Sequence, residues 1–83
     1  MTAQTTDSEL RAVLMEELRA VNDEVPEDVP FDQKLIAEIG IDSLDTIEFV
    51  ARLEYRFQFV VPDEDWEQLT TLDEVLDYVK DHV

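Results

Sequence analysis

The chain has 83 residues, 22 acidic and six basic, for a formal net charge of −16, with 45% hydrophobic residues and no cysteine. That length supports one domain with one modest core, burying only about 60% of the surface its unfolded form exposes. The missing cysteine excludes disulfides and thiolate metal sites, and the charge disfavours nucleic acid and anionic membranes as partners while inviting basic protein surfaces.

The hydrophobic fraction is too high for a disordered acidic chain. Self-repulsion at this charge opposes compaction. The melting temperature is therefore expected to rise with salt or divalent cations. Thermal unfolding at several ionic strengths tests this, and a flat Tm is the contrary result. The sequence offers no apolar run near the ~20 residues of a membrane span. Met1 to Thr6 lacks the basic and apolar regions of a secretory signal. A cytoplasmic protein without membrane association is expected, with residues 1–6 flexible and 7–83 forming a single domain.

Four segments carry helical periodicity. In the first, Leu10, Val13, Leu14, Leu18 and Val21 recur at three- and four-residue steps. Thr6 and Glu9 stand at capping-box spacing before it, and the helix should stop near Asn22, ahead of Pro26. From Asp23 to Ile41 Pro26 and Pro30 forbid a continuous helix. Val25, Val29, Phe31, Leu35, Ile36 and Ile39 nevertheless suggest a connection that lies across the bundle and covers it. A short helical turn is expected around Asp32 to Glu38. Gly40, the only glycine, implies a positive φ or a close backbone approach.

The second long helix is predicted from Ser43 to Phe57 with Asp42 as N-cap. Phe59 to Pro62 should form an extended, buried connector, and Asp63 to Leu69 a short helix with three acids at its start. Thr71 and Glu74 make a second capping-box pair, opening a last helix with Leu72, Val75, Leu76, Val79 and Val83 on one stripe. The expected fold class is an all-α, four-helix bundle of three longer helices and one short one, with a long first loop.

On a helical wheel, Thr46, Phe49, Val50, Leu53 and Phe57 form an ordinary core face of the second helix. Leu44, Ile47 and Ala51 lie further round, making the apolar arc wider than one packing face needs. Asp45, Glu48, Glu54 and Tyr55 frame this second strip, as in a small protein-docking surface. Core burial under the first loop is the alternative, evenly balanced at Leu44 and weaker at Ile47. Ser43 opens the helix, where unpaired N–H groups and the helix dipole suit a phosphate. Spacing alone favours a plain helix-start serine over a phosphate site.

The string Ile39-Gly-Ile-Asp-Ser-Leu-Asp-Thr-Ile-Glu48 closely resembles the attachment motif of acyl carrier proteins, roughly Asp-Leu-Gly-x-Asp-Ser-Leu-Asp-x-x-Glu. Phe57 to Glu64, Leu69 to Thr71 and the final helix resemble the family's second half, so the likeness runs from about Leu10 onward. It implies a 4′-phosphopantetheine arm, moved from coenzyme A to Ser43 by a phosphopantetheinyl transferase and carrying an acyl group as a thioester. Asp42 and Asp45 would be the acids flanking the attachment serine. Leu44, Asp45, Ile47, Glu48, Ala51 and Glu54 would form the partner-docking face. The implied partners are the transferase and ketosynthases, acyltransferases or acyl-activating enzymes with basic docking surfaces, engaged by a monomer.

The chain departs from the family pattern at Glu38 and Ile39 before the glycine, at Ala51, at Tyr55 and Arg56, and at Phe49 and Trp66. These departures favour a dedicated carrier of a polyketide or other specialised pathway over a housekeeping fatty-acid carrier. Aminoacyl or peptidyl loads stay open, although the Leu-Gly-Gly-x-Ser pattern of peptidyl carriers is missing.

Three other readings are weaker. A catalytic triad from Ser43 and His82 would need an oriented base and an oxyanion hole, so no enzymatic activity is expected. A calcium loop would need a spacing of acids around glycine that does not occur. An acidic, non-catalytic interaction protein would share the charge and helices but has no use for Ser43.

Overall fold

The computed structural model describes residues 6–82. The flexible segment expected over 1–6 lies outside that range except for Thr6, which caps the first helix; Val83 also lies outside it. Three longer helices, α1 (Asp7–Val21), α2 (Ser43–Phe57) and α3 (Leu72–His82), are joined by two connections. The first contains a short π-helical turn at Leu35–Ile39 and the second a 3₁₀ segment at Asp63–Gln68. The all-helical bundle matches the fold class expected from the periodicity.

Local chemistry sets the helix ends. The Glu9 N–H donates to the Thr6 hydroxyl at 3.2 Å while the Thr6 N–H donates to the Glu9 carboxylate at 3.1 Å, completing the capping box. Thr71 and Glu74 repeat the device at α3, with reciprocal bonds of 3.1 and 3.0 Å. Asp42 caps α2 by accepting the Asp45 N–H at 2.7 Å. At the far end of α2, Gln58 closes the helix with φ 59°, a left-handed position more often given to glycine.

The core runs between the three helices. Leu10, Leu14 and Leu18 of α1 meet Phe49, Val50 and Leu53 of α2 and Leu72, Val75, Leu76 and Val79 of α3. From the first connection Val25, Leu35 and Ile41 are buried, and Val29, Phe31 and Ile39 pack at the edge. The connection therefore covers the bundle, as its apolar residues suggest. Ile36 is the exception, lying 55% exposed beside the buried Leu35. Adjacent residues on one short helical turn point to different sides, so only one of the pair reaches the core. Val60 likewise departs from the buried connector expected around it: Val61 is buried and Val60 is exposed, because successive residues of an extended segment alternate in direction.

Backbone bonds pin the first connection to α3. The Leu35 N–H donates to Thr70 O at 2.9 Å and the Asp73 N–H to Phe31 O at 3.0 Å. Lys34 and Thr71 form an isolated antiparallel bridge. In the π turn, the Ile39 and Gly40 N–H groups each reach back five residues at 2.9 Å. Gly40 follows with φ 96° and open space around its Cα. The left-handed backbone, rather than any close neighbour, makes this position favour glycine. The turn it permits delivers the chain to Asp42 and the start of α2.

Candidate functional site

Ser43 is the first residue of α2 and is exposed. Asp42, before it, is fixed by its capping bond, and the Thr46 hydroxyl donates to Asp42 O at 3.0 Å. Asp45, two residues on, is half-buried and accepts a 3.2 Å bond from the Asn22 side-chain amide at the end of α1. Ser43 thus opens a capped helix, flanked in sequence by Asp42 and Asp45, whose carboxylates are each held by a hydrogen bond.

The strip predicted alongside it is open to solvent. Leu44 is 74% and Ile47 52% exposed, with Glu48 and Ala51 exposed between and beyond them. The evenly balanced alternatives at Leu44 resolve toward the surface: the first connection does not cover it. Glu54, placed by the sequence on the same face, is half-buried, and one of its oxygens accepts the Val61 N–H at 2.7 Å. It ties the second connection to α2. Tyr55 is 83% exposed and extends the apolar strip to the distal end of the helix.

That distal end carries a feature not read from the sequence. Glu17 of α1 is buried and receives Arg52 Nε at 2.6 Å and Arg56 Nη1 at 2.7 Å; Arg56 also reaches Glu16 at 3.0 Å. Two of the six basic residues of this acidic chain are spent on it. Burial pushes the Glu17 carboxyl upward, but the hydrogen bonds and charges of Arg56 and Arg52 outweigh it and hold the group below its ordinary value. The only advance signal was the i, i+4 spacing of the arginines, which says nothing about a partner on α1.

A cleft of about 290 Å³ opens beside Thr46, one turn along from Ser43, between Leu35, Ile36, Trp66 and Leu69. Phe49 is fully buried in the core, Phe57 is partly buried, and Trp66, also partly buried, lines the cleft. His82, drawn above as a hypothetical base, stacks on Tyr78 at a centroid distance of 4.2 Å and also lies against Phe59. Tyr78 donates to Asp65 at 2.7 Å, which pushes its phenol up to about 12, with burial adding to the rise. No helix among the described residues is long and apolar enough to cross a membrane.

A small acidic helical bundle that presents an exposed serine at a capped helix start, beside an open apolar strip, has the build of a carrier rather than a catalyst. A family model described as the phosphopantetheine attachment site matches residues 8–79. The solution structure of a protein from Anaplasma phagocytophilum, assigned there as an acyl carrier protein, superposes with a TM-score of 0.79 at 27% identity, covering 98% of this chain and 96% of that one. The chain belongs to the acyl carrier protein family. Its members are carriers and not enzymes, and the group its domain takes covalently is 4′-phosphopantetheine.

Proposed function

We propose that Ser43 is the attachment point and that the chain presents acyl thioesters on its arm to the enzymes of a specialised pathway, such as polyketide assembly. One observation carries the reading: the exposed Ser43 opens α2 directly beside the exposed Leu44 and Ile47. In the loading step the Ser43 Oγ attacks the phosphorus of coenzyme A that bears the pantetheine. An Oγ–P bond forms, the pyrophosphate P–O bond breaks, adenosine 3′,5′-bisphosphate leaves, and the hydroxyl proton passes to a base on the transferase. The residues present fit the group. The first-turn N–H groups of α2 would favour the phosphate of the arm, and the carboxylates of Asp42 and Asp45 would disfavour its lying back against them. With no cysteine in the chain, the arm supplies its only thiol.

Leu44, Asp45, Ile47, Glu48 and Ala51 form the docking face, with Glu54 at its margin through its remaining oxygen. Phosphopantetheinyl transferase, ketosynthases and acyltransferases meet these carboxylates with basic residues, since charge complementarity sets encounter rate and register. The specialised pathway is favoured by the distal half of α2, where Tyr55, Arg52 and Arg56 interrupt the acidic rim. The protein works in the cytoplasm as a monomer, in keeping with its self-repelling charge.

Incubation of the purified protein with coenzyme A and a broad-specificity transferase tests the assignment. One phosphopantetheine mass is expected, and fragmentation should place it on the peptide containing Ser43. An unmodified protein with active transferase, or a modified peptide elsewhere, refutes it. Intact mass of protein from its native host reads the load and hence the pathway.

A further inference from the structure

We propose that Asn22 is a positioning residue for loading, acting through Asp45; this rests on the assignment of Ser43 above. Asn22 is the C-cap that follows α1, and its backbone N–H, backbone carbonyl, side-chain oxygen and side-chain nitrogen each make a hydrogen bond. Its N–H donates to Leu18 O at 3.0 Å and its carbonyl accepts the Val25 N–H at 3.2 Å. Its side-chain oxygen accepts the Glu24 N–H at 3.0 Å, leaving the amide nitrogen aimed at Asp45 Oδ2, 3.2 Å away across 23 residues of sequence. Backbone and side chain are therefore both anchored, and the amide arrives at Asp45 from a fixed direction.

The choice of donor matters. Asp45 stands within a turn of Asp42, whose carboxylate already holds the Asp45 N–H. A second acid this close, in a chain of charge −16, tends to swing its carboxylate away into water. At the other end of α2 the chain restrains an acid with arginines, which cancel its charge. At Asp45 it uses a neutral amide. One oxygen is held, the other has no hydrogen-bond partner among the described residues, and the negative charge beside Ser43 is preserved for a cation on the visiting enzyme. Asn22 thus pre-orders a docking carboxylate without neutralising it, so that the partner need not order it on arrival.

The test measures loading of Ser43 by a broad-specificity phosphopantetheinyl transferase, with coenzyme A saturating and the carrier varied. Asn22→Ser keeps an oxygen acceptor near the Glu24 N–H, adds no charge and cannot reach Asp45. Its KM for the transferase is expected to rise roughly three- to tenfold, the scale of one lost ordering hydrogen bond. Its kcat and circular dichroism should be unchanged. Asp45→Ala should raise KM on its own, and adding Asn22→Ser to Asp45→Ala should change nothing more. An unchanged KM in Asn22→Ser overturns the proposal. So does an equal rise in the Asp45→Ala background, which would mean that Asn22 acts through the fold. Wild-type loading that does not depend on Ser43 is a separate failure: it removes the attachment reading itself, and this role with it.

Discussion

Ser43→Ala is expected to abolish arm attachment completely while leaving a folded helical protein. The two halves of that expectation have separate causes. Loading needs an oxygen nucleophile at this position, and alanine supplies none. The fold does not need Ser43, because the capping oxygen of α2 belongs to Asp42, which accepts the Asp45 N–H at 2.7 Å. An exposed first-turn serine can become alanine at a cost within about 0.5 kcal/mol. Intact mass after transferase treatment should show wild type one phosphopantetheine heavier and the variant unchanged, with matching circular dichroism. Ser8, the only other serine, is exposed in the first turn of α1, so Ser8→Ala serves as the control and should load normally. The Thr46 hydroxyl is engaged by Asp42 O and is a poor substitute. Mass gain in the Ser43→Ala variant would move the site elsewhere.

What could be read from the sequence was what is encoded over three or four residues. The limits of α2, from the Asp42 cap through Ser43 to Phe57, follow from one carboxylate and an apolar period. Both capping boxes did as well, since a threonine and a glutamate three apart need no distant partner. The lone Gly40 points to a positive φ or a close approach, and the structure has the first without the second. Gln58 adopts the same left-handed region without any such sign. At Ile36 and Val60 apolar character does not bring burial, because these short segments alternate residue by residue and carry no long period. The site divides along the same line. From one helix the wheel leans toward an exposed Ile47 and leaves Leu44 evenly balanced, while Ser43 stands out only through the motif around it. The Asn22 bond to Asp45 and the arginine clasp on Glu17 join residues 23 to 39 positions apart, and only the packing of α1 on α2 creates them.

That clasp is where the second large effect is expected, this time on stability. Glu17 occupies the same row of α1 as Val13 and Val21, and its side chain is only 10% exposed. A carboxylate there is tolerated because Arg52 and Arg56 satisfy it, and among the described residues no buried side-chain polar atom lacks a partner. Glu17→Gln keeps the shape and removes the charge. Charge-assisted hydrogen bonds contribute about 1.5–3 kcal/mol each, and the arginines, 44% and 37% exposed, recover part of the loss by turning to water. A net cost of about 2 kcal/mol is expected, a fall in Tm of roughly 10 °C for a domain of this size. The difference should depend on pH. Because the folded-state pKa is depressed, Glu17 stabilises fully above its ordinary value of 4.5 and loses that contribution as pH falls through the lower folded value. Wild type alone cannot show this, since acid also relieves the repulsion among the other carboxylates. The gap between wild type and the Glu17→Gln variant isolates it: wide at pH 7, closing below about 4.5. A gap that is absent at pH 7, or that widens in acid, would mean that the clasp does not hold α1 against the distal half of α2.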